Sequence, residues 1–400
     1  MNVTQAYDLA VIGAGPAGAA TAFHAARAGL RVALLDKSEF PRDKICGDGL
    51  TGRAVNELRL MGLEEAVRRR GARVSRFSLG APVGHVDAAL SEAGSPGYAY
   101  VLPRLQLDSL LVESAVTGGA QFLPGHEVRG WTCDDQGIEL LAEHPSGSLR
   151  LRAPLAVLAT GAHAGLALRS GVLKAKPRTM VAIRQYVAPL PGTQDTWHLH
   201  FSRATLPGYG WIFPAGNGIA NVGIGLEHRR GGVPLAQLLT RYLDSAVARR
   251  ILADARPLAA PRSFPLRCDF LDSPLTAPRL LIAGEAAGLV NPLTGEGIDY
   301  ALESGRIAAE HALSRLQGGV HEDTARDAYA AALHDRYDAL FAFSERLRTW
   351  CGSPWGVSTL AVGAMARPQL KSRLVGILLG DAPAPQRPNA ARLFKALLRG

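Results

Sequence analysis

Apolar positions in the first forty residues fall into two short blocks separated by an alanine-rich stretch. Tyr7, Leu9, Ala10, Val11 and Ile12 form a run that predicts a buried parallel strand, and Val32 to Leu35 form a second. The segment between them is helical in composition, so the order strand, turn, helix, strand predicts one βαβ unit. Similar runs at Leu155 to Thr160 and Leu280 to Ala283, each followed by a glycine-containing loop, predict further strands of the same sheet.

Between those two runs the period changes. From about Met180 to Leu226 apolar and polar positions alternate, with Trp197, Leu199 and Phe201 on one parity and His198 and His200 on the other, which predicts antiparallel strands with one face on a cavity. From Gly297 onward Ile298, Ala301, Leu302, Gly305 and Ala308 recur at helical spacing, and a second helical block runs from about Ala325 to Trp350. Pro354, Pro368, Pro383, Pro385 and Pro388 then divide the tail into short pieces. The last piece, 390–399, places Leu393, Phe394, Leu397 and Leu398 on one side, with Arg392, Lys395 and Arg399 among the other positions. A helix of that kind either docks on its own domain or lies on a membrane surface.

The pattern predicts an α/β protein with interleaved domains. Residues 1–75, 100–175 and 275–345 make a discontinuous nucleotide-binding domain, 76–99 and 176–274 an inserted substrate-binding domain, and 346–400 a C-terminal helical segment. Composition agrees with a globular chain: 47% of its 400 residues are hydrophobic and 20% charged, which argues against disorder. No apolar run reaches membrane-spanning length and the N-terminus lacks a signal-peptide pattern, so a cytoplasmic location is expected. Cys46, Cys133, Cys268 and Cys351 are widely separated, and no third ligand stands at a supporting distance from His198 and His200, so no metal site is expected. The net charge of +9 favours anionic partners. Yet the basic pairs Arg229-Arg230 and Arg249-Arg250 are dispersed without interleaved aromatics, the pattern of solvated surface rather than of a nucleic-acid site.

The turn between the first two strands carries the chemistry. Gly13-Ala14-Gly15-Pro16-Ala17-Gly18 is a dinucleotide fingerprint: Gly13 permits the tight turn, Gly15 lets backbone approach a pyrophosphate, and Gly18 lets the helix pack close to the strand. Gly13, Gly15, Ala17, Gly18, Asp36 and Lys37 are the contacts expected at this end. Asp36, at the end of the second strand, is placed to accept hydrogen bonds from ribose hydroxyls and to repel a 2′-phosphate. The fingerprint alone leaves a nicotinamide and FAD equally open.

A second motif separates them. Leu280 to Gly288 is a strand entering a small-residue turn with Glu285 at its tip, and Pro292, Gly295 and Gly297 precede the helix that starts at Ile298. A carboxylate after Gly284 can accept a ribityl hydroxyl, and the helix start offers amides to the electron-rich N1 and C2 carbonyl of a reduced flavin. Two nucleotide-facing motifs this far apart suit one extended ligand, FAD.

Three further segments are Phe40-Pro41-Arg42-Asp43-Lys44-Ile45-Cys46-Gly47-Asp48-Gly49-Leu50, Leu206-Pro207-Gly208-Tyr209-Gly210-Trp211-Ile212-Phe213-Pro214, and Asn291-Pro292-Leu293-Thr294-Gly295-Glu296-Gly297-Ile298-Asp299-Tyr300. With them the chain, from residue 7 to about 345, resembles the geranylgeranyl reductase family of FAD-dependent oxidoreductases. Within it the motifs are most similar to the menaquinone reductases of actinobacteria, which saturate a double bond in an isoprenoid tail. The resemblance implies a Rossmann-like FAD-binding domain of the hydroxylase (glutathione-reductase-like) type with an inserted antiparallel-sheet substrate domain. It implies that Lys44, Cys46 and Gly47 lie beside the isoalloxazine, that Arg104 contacts FAD, and that Tyr209 and Trp211 wall the substrate chain. Two positions depart from the family: Glu285 stands in place of Asp, and Thr160-Gly161 in place of the Asp-Gly pair linked to FAD and NAD(P)H.

The implied activity is reduction of isolated C=C bonds in a prenyl chain, that of menaquinone, geranylgeranyl diphosphate or a prenyl lipid. Hydride would come from flavin N5 and a proton from Cys46 or Tyr209, with Trp211 positioning the alkene. The electron donor, ferredoxin or NAD(P)H, is left open, as is contact with the inner membrane face. An FAD monooxygenase or halogenase acting on a small aromatic or apolar substrate is the alternative, although halogenases carry Trp-x-Trp-x-Ile where this chain has Tyr209-Gly210-Trp211-Ile212-Phe213. A non-catalytic flavin carrier is a third reading.

Overall fold

A computed structural model describes residues 5–92, 96–192, 195–202, 205–227 and 232–380; the amphipathic segment 390–399 and the pair Arg229-Arg230 lie outside the described residues. β1 (Leu9–Ile12) is buried at every residue and leads through the Gly13 turn into α1 (Pro16–Arg27), followed by the parallel neighbour β2 (Val32–Leu35). Pro16 stands in the first turn of α1, where a missing N–H costs no hydrogen bond, and the buried alanines at 19, 20, 22, 25 and 26 let the helix lie close to its neighbours.

The chain then leaves for a hairpin of β3 (Arg76–Ala81) and β4 (Gly84–Ala89) and returns through α2 (Arg104–Thr117) to β5 (Gln121–Leu123). An antiparallel meander, Glu127–Asp134, Gly137–His144 and Gly147–Ala153, precedes β6 (Leu155–Leu158). A second departure builds β7 (Thr179–Ala188), β8 (Thr196–His200), β9 (Tyr209–Gly216), β10 (Ile219–Leu226) and β11 (Arg262–Arg267). β12 (Thr276–Ala277) and β13 (Leu280–Ile282) rejoin the first sheet, and α3 (Ile298–Leu316), α4 (Glu322–Cys351), α5 (Pro354–Ala366) and α6 (Pro368–Leu378) follow.

The first sheet has the order β12-β13-β6-β1-β2-β5 and is parallel except for β12. Strands covered on both faces need apolar residues at every position, which is why β1, β2, β6 and β13 are continuous hydrophobic runs. The second sheet runs β7-β10-β9-β8-β3-β4, with β11 on the outer side of β7. β8 is antiparallel to β9 but parallel to β3, so a segment from the first departure completes a sheet whose other strands come from the second.

Pro354 and Pro368 open helices instead of merely interrupting the tail, each standing in a first turn. Leu360, Ala361 and Ala364 of α5, with Leu370, Leu374 and Val375 of α6, pack in one buried cluster with Phe77, Leu79 and Val86 of the second sheet. No helix among the described residues is long and apolar enough to cross a membrane.

Candidate functional site

A cavity of about 530 Å³ separates the glycine turns of the first sheet from the inner face of the second. Its wall includes Gly13, Gly15, Ala17, Asp36, Lys37, Lys44, Cys46, Gly47, Arg104, Thr160, Gly161, Tyr209, Trp211, Glu285, Gly295, Gly297 and Ile298. Three of the residues expected at the cofactor are not in that wall: Gly18, Gly284 and Pro292.

The fingerprint glycines divide by role. Gly13 has φ +104°, and a Cβ there would stand 2.4 Å from the carbonyl oxygen of Ala159. A Cβ on Gly18 would stand 1.7 Å from the carbonyl oxygen of Gly13, so Gly18 serves close packing of helix on strand. At Gly15 a Cβ would meet only Arg42 Nη2, at 3.6 Å, and its open side faces the cavity. Asp36 is held in place, Oδ2 accepting from Ala14 N (2.8 Å) and Oδ1 from Ser38 N (2.9 Å). Arg42, which the sequence did not single out, bridges the site with Nη1 3.0 Å from Asp108 and Nη2 3.9 Å from Asp36.

The segment after β2 lies against the second sheet. Lys44 Nζ sits 3.5 Å from the Phe264 ring centroid and 4.0 Å from Glu285, and burial lowers its pKa. A Cβ on Gly47 would be 3.3 Å from the Phe213 ring, and one on Gly49 would be 3.1 Å from Trp197, so the glycines let this loop run under the aromatic wall. Burial raises the Cys46 pKa and keeps it a thiol. Asp48 is fully buried at φ +65° and accepts from Arg104 N (3.3 Å), from Asn221 Nδ2 (2.7 Å) and from the Tyr186 hydroxyl. Burial still pushes its pKa up to about 6. Arg104 makes a bidentate pair with Asp108 at 2.6 and 2.8 Å, inside the protein.

β8 and β9 form the opposite wall. Tyr209, Trp211 and Phe213 project from alternate positions of β9, with ring centroids 6.2 and 6.3 Å apart, and Trp197 stacks on Phe213 at 5.0 Å. Leu199 and, from the far end of the chain, Leu378 and Leu379 add apolar surface. The Tyr209 hydroxyl donates to the carbonyl oxygen of Thr294, and burial raises its pKa well above the ordinary phenol value. His200 points the other way, its Nδ1 2.7 Å from the Tyr242 hydroxyl, and no group of His, Cys, Asp or Glu suited to a metal occurs among the described residues.

The turn before α3 is built on Asn291, whose Oδ1 accepts from Leu293 N (2.9 Å) and Thr294 N (3.3 Å) while its carbonyl accepts from Gly295 N (2.8 Å). This Asx turn rolls Pro292 and Leu293 into the interior and brings Thr294 to Gly297 to the cavity, which is why Pro292 misses the wall. Gly284 is explained by packing too: a Cβ there would stand 2.7 Å from Ala17 Cβ. Glu285 does reach the cavity, with Oε1 accepting from Arg267 N (3.2 Å).

The chain matches the FAD binding domain family over residues 6–344. It is 33% identical over 409 residues to the menaquinone reductase of Mycobacterium tuberculosis, covering 99% of this chain and 96% of that one. It is also 30% identical over 347 residues to digeranylgeranylglycerophospholipid reductase 2 of Methanopyrus kandleri, covering 84% and 83%. The chain belongs to the FAD-dependent prenyl reductase family.

Solved structures agree on the fold of this family member. A geranylgeranyl bacteriochlorophyll reductase-like protein of Thermoplasma acidophilum superposes with a TM-score of 0.84 at 22% identity, over 99% of this chain and 100% of that one. The flavin-dependent brominase Bmp2 reaches 0.79 at 18% identity over 99% and 98%, which is likeness of fold alone. The residues present suit the cofactor of an FAD-dependent oxidoreductase. The Gly13 and Gly295–Gly297 turns open on one cavity, and Gly15 leaves the space there that a bulkier residue would fill.

Sequence reasoning missed Arg42, Asp48, Asn221 and Leu378-Leu379, whereas Trp197 was expected on a strand facing a cavity and lines this one. Asn221 alone carried a legible signal, as a single polar residue within the apolar run Ile219–Leu226.

Proposed function

We propose that this chain saturates isolated C=C bonds in a prenyl chain, with a menaquinone tail as the leading substrate and geranylgeranyl diphosphate or a prenyl lipid of the same class behind it. The observation that carries this reading is the two-sided cavity. A glycine-lined, charged side around Gly13, Gly15, Asp36 and Arg42 is continuous with an apolar side of Trp197, Leu199, Tyr209, Trp211, Phe213 and Leu379. Such a space suits an extended dinucleotide against a hydrocarbon chain.

Bound and reduced, FAD supplies the hydride at N5. Gly13, Gly15, Ala17, Asp36 and Lys37 hold its adenosine end, with Gly18 and Gly284 acting through helix packing. Lys44, Cys46, Gly47, Arg104, Thr160, Gly161 and Glu285 flank its middle and reactive ring, and Gly295, Gly297 and Ile298 present backbone amides to it. Tyr209 and Trp211 hold the alkene in line and exclude water. The identities to a menaquinone reductase and a prenyl-lipid reductase support the substrate class.

A menaquinone or a prenyl lipid is membrane-borne, and α5 supports peripheral contact with the inner membrane face. Trp355, Val362 and Met365 are exposed on this helix, which precedes the helix whose end reaches the cavity.

The test is direct. The purified protein is reduced with dithionite, given a polyprenyl quinone or a geranylgeranyl substrate without oxygen, and the product weighed. Flavin reoxidation with two hydrogens gained per double bond is expected; no gain with any prenyl substrate refutes the reading.

A further inference from the structure

Saturating an alkene needs a proton as well as a hydride, and the wall offers Cys46 and Tyr209 first. Both hold their protons tightly, because burial raises each pKa, and the Tyr209 hydroxyl hydrogen is committed to the Thr294 carbonyl.

The carboxyls of the wall differ in how they are neutralised. Asp36 accepts two backbone amides and lies near Arg42. Asp43 is bridged by Arg184 (2.8 Å) and Arg262 (3.1 Å), and Glu127 pairs with Arg129 (2.9 Å). Asp48 accepts three donors, and Glu285 is 4.0 Å from Lys44. Each of these is held by a cation or by donors from other segments.

Glu296 is not. Among the described residues no Lys or Arg stands within ion-pair distance of it, and its hydrogen-bond partners are backbone amides of its own turn, Ile298 N at 3.1 Å among them. The charged group that bears on it most is Asp299, of like sign and itself 3.6 Å from Arg53. The turn is fixed by Asn291 N donating to the Glu296 carbonyl (2.8 Å) and Glu296 N donating to Thr294 Oγ1 (3.3 Å), so the side chain is anchored between Gly295 and Gly297, both in the cavity wall. An acid in a partly apolar space, with no cation, keeps its proton.

We propose that Glu296 is the proton donor of the reduction. This rests on the prenyl-reductase reading above. As one alkene carbon takes hydride from the reduced cofactor, the other takes the Glu296 proton; the C=C π bond is consumed, two C–H bonds form, the cofactor is oxidised, and the carboxylate regains a proton from water. Burial and Asp299 push the Glu296 pKa up to about 8, so most molecules carry the proton at pH 7. The other titratable groups around it are Cys46 and Arg104 beside the loop, Tyr209 on β9, Asp299 and Tyr300 on α3, and Arg53 from the helix Gly52–Leu60. All six shifts are upward, and Asp299 is the acid among them that bears most on Glu296, so the two carboxyls together set the pH at which the donor ionises.

The experiment compares wild type with Glu296→Gln and Glu296→Asp as FAD-loaded proteins. Two steps are timed without oxygen after reduction: reoxidation by ferricyanide and reoxidation by a polyprenyl quinone, with product mass. Glu296→Gln should keep the flavin spectrum and the ferricyanide rate, lose the prenyl-dependent step by about 100-fold or more, and lose the fall in rate that wild type shows above about pH 8. Glu296→Asp should recover part of the rate. A second readout needs no turnover: an infrared carbonyl band of a protonated carboxyl at pH 7, present in wild type with or without FAD and missing from Glu296→Gln. A Glu296→Gln enzyme within about threefold of wild type with an unchanged pH profile overturns the donor assignment and leaves the reductase reading standing. A wild type that no prenyl substrate reoxidises overturns the reductase reading, and the assignment with it. If Glu296→Gln loses FAD, the wild-type profile decides: a rate that does not fall through pH 8 overturns the assignment.

Discussion

Asn221 Nδ2 donates to the carbonyl oxygen of Cys46 at 2.8 Å, so a strand of the second sheet grips the loop that faces the cavity. The same amide reaches Asp48 at 2.7 Å, and its Oδ1 accepts from Trp211 Nε1 at 3.0 Å. One side chain therefore fixes the loop, a buried carboxylate and the aromatic wall together. Asn221→Leu keeps the branching of the side chain and leaves the Trp211 N–H and one Asp48 oxygen short of a partner, each costing about 1–3 kcal/mol. Urea unfolding should register that loss, and the flavin absorbance should shift as the Cys46 loop relaxes; unchanged values for both would show that the grip contributes nothing.

Gly15 and Gly18 should fail in different ways. Gly18→Ala drives a methyl into the Gly13 carbonyl and should lower thermal stability even without cofactor. Gly15→Ala has room inside the protein, so its fold should hold while FAD affinity drops by about tenfold or more. Melting curves of the cofactor-free variants beside FAD titrations check the pair.

Arg104→Ala removes the bidentate partner of Asp108, a carboxylate with no solvent exposure, and leaves it Arg42 at 3.0 Å. A cost of about 3 kcal/mol or more is expected from a buried charge that loses its main partner. Arg104→Lys should recover part of it, since the charge returns without the two-point geometry. Chemical denaturation of the three proteins measures this.

Acid sensitivity should trace to His200 and His24. Burial first, then the neighbours His198 and His85, holds the His200 pKa down to about 3; burial holds that of His24 to about 4. The unfolded chain protonates both near pH 6.5, so it binds more protons than the folded chain below that value. Stability is therefore full above about pH 6.5 and is lost as pH falls toward these lowered pKa values. His200→Gln should flatten that decline in a series of melting temperatures between pH 7 and 4.5.

If α5 rests on a bilayer, replacing Trp355, Val362 and Met365 together by serine should leave the melting temperature unchanged and reduce co-sedimentation with lipid vesicles. Equal sedimentation of the variant would exclude this helix as the contact.

How much of this was legible follows from where the information lies. β1, β2, β6 and β13 were readable because strands buried on both faces impose apolar residues locally. The pairing of β3 with β8 was not, since Phe77 opposite Trp197 is a match between distant segments. Residue type also misled where one type serves two ends. Gly284 looks like a cofactor glycine and is small because Ala17 presses on it, whereas Gly15 is small because the cavity opens there. Glu296 was hidden by its neighbours: between two glycines it reads as part of a backbone motif, and only the cations and outside donors around the other carboxyls single it out.

The wall contributed by Leu378 and Leu379 makes the cavity depend on distant parts of the chain. The Gly295–Gly297 turn that shares a cavity with the Gly13 turn follows it by nearly three hundred residues, and Leu378 and Leu379 come about eighty residues later still. A chain shortened after α4 would keep both glycine turns and lack the apolar part of the wall that Leu378 and Leu379 supply.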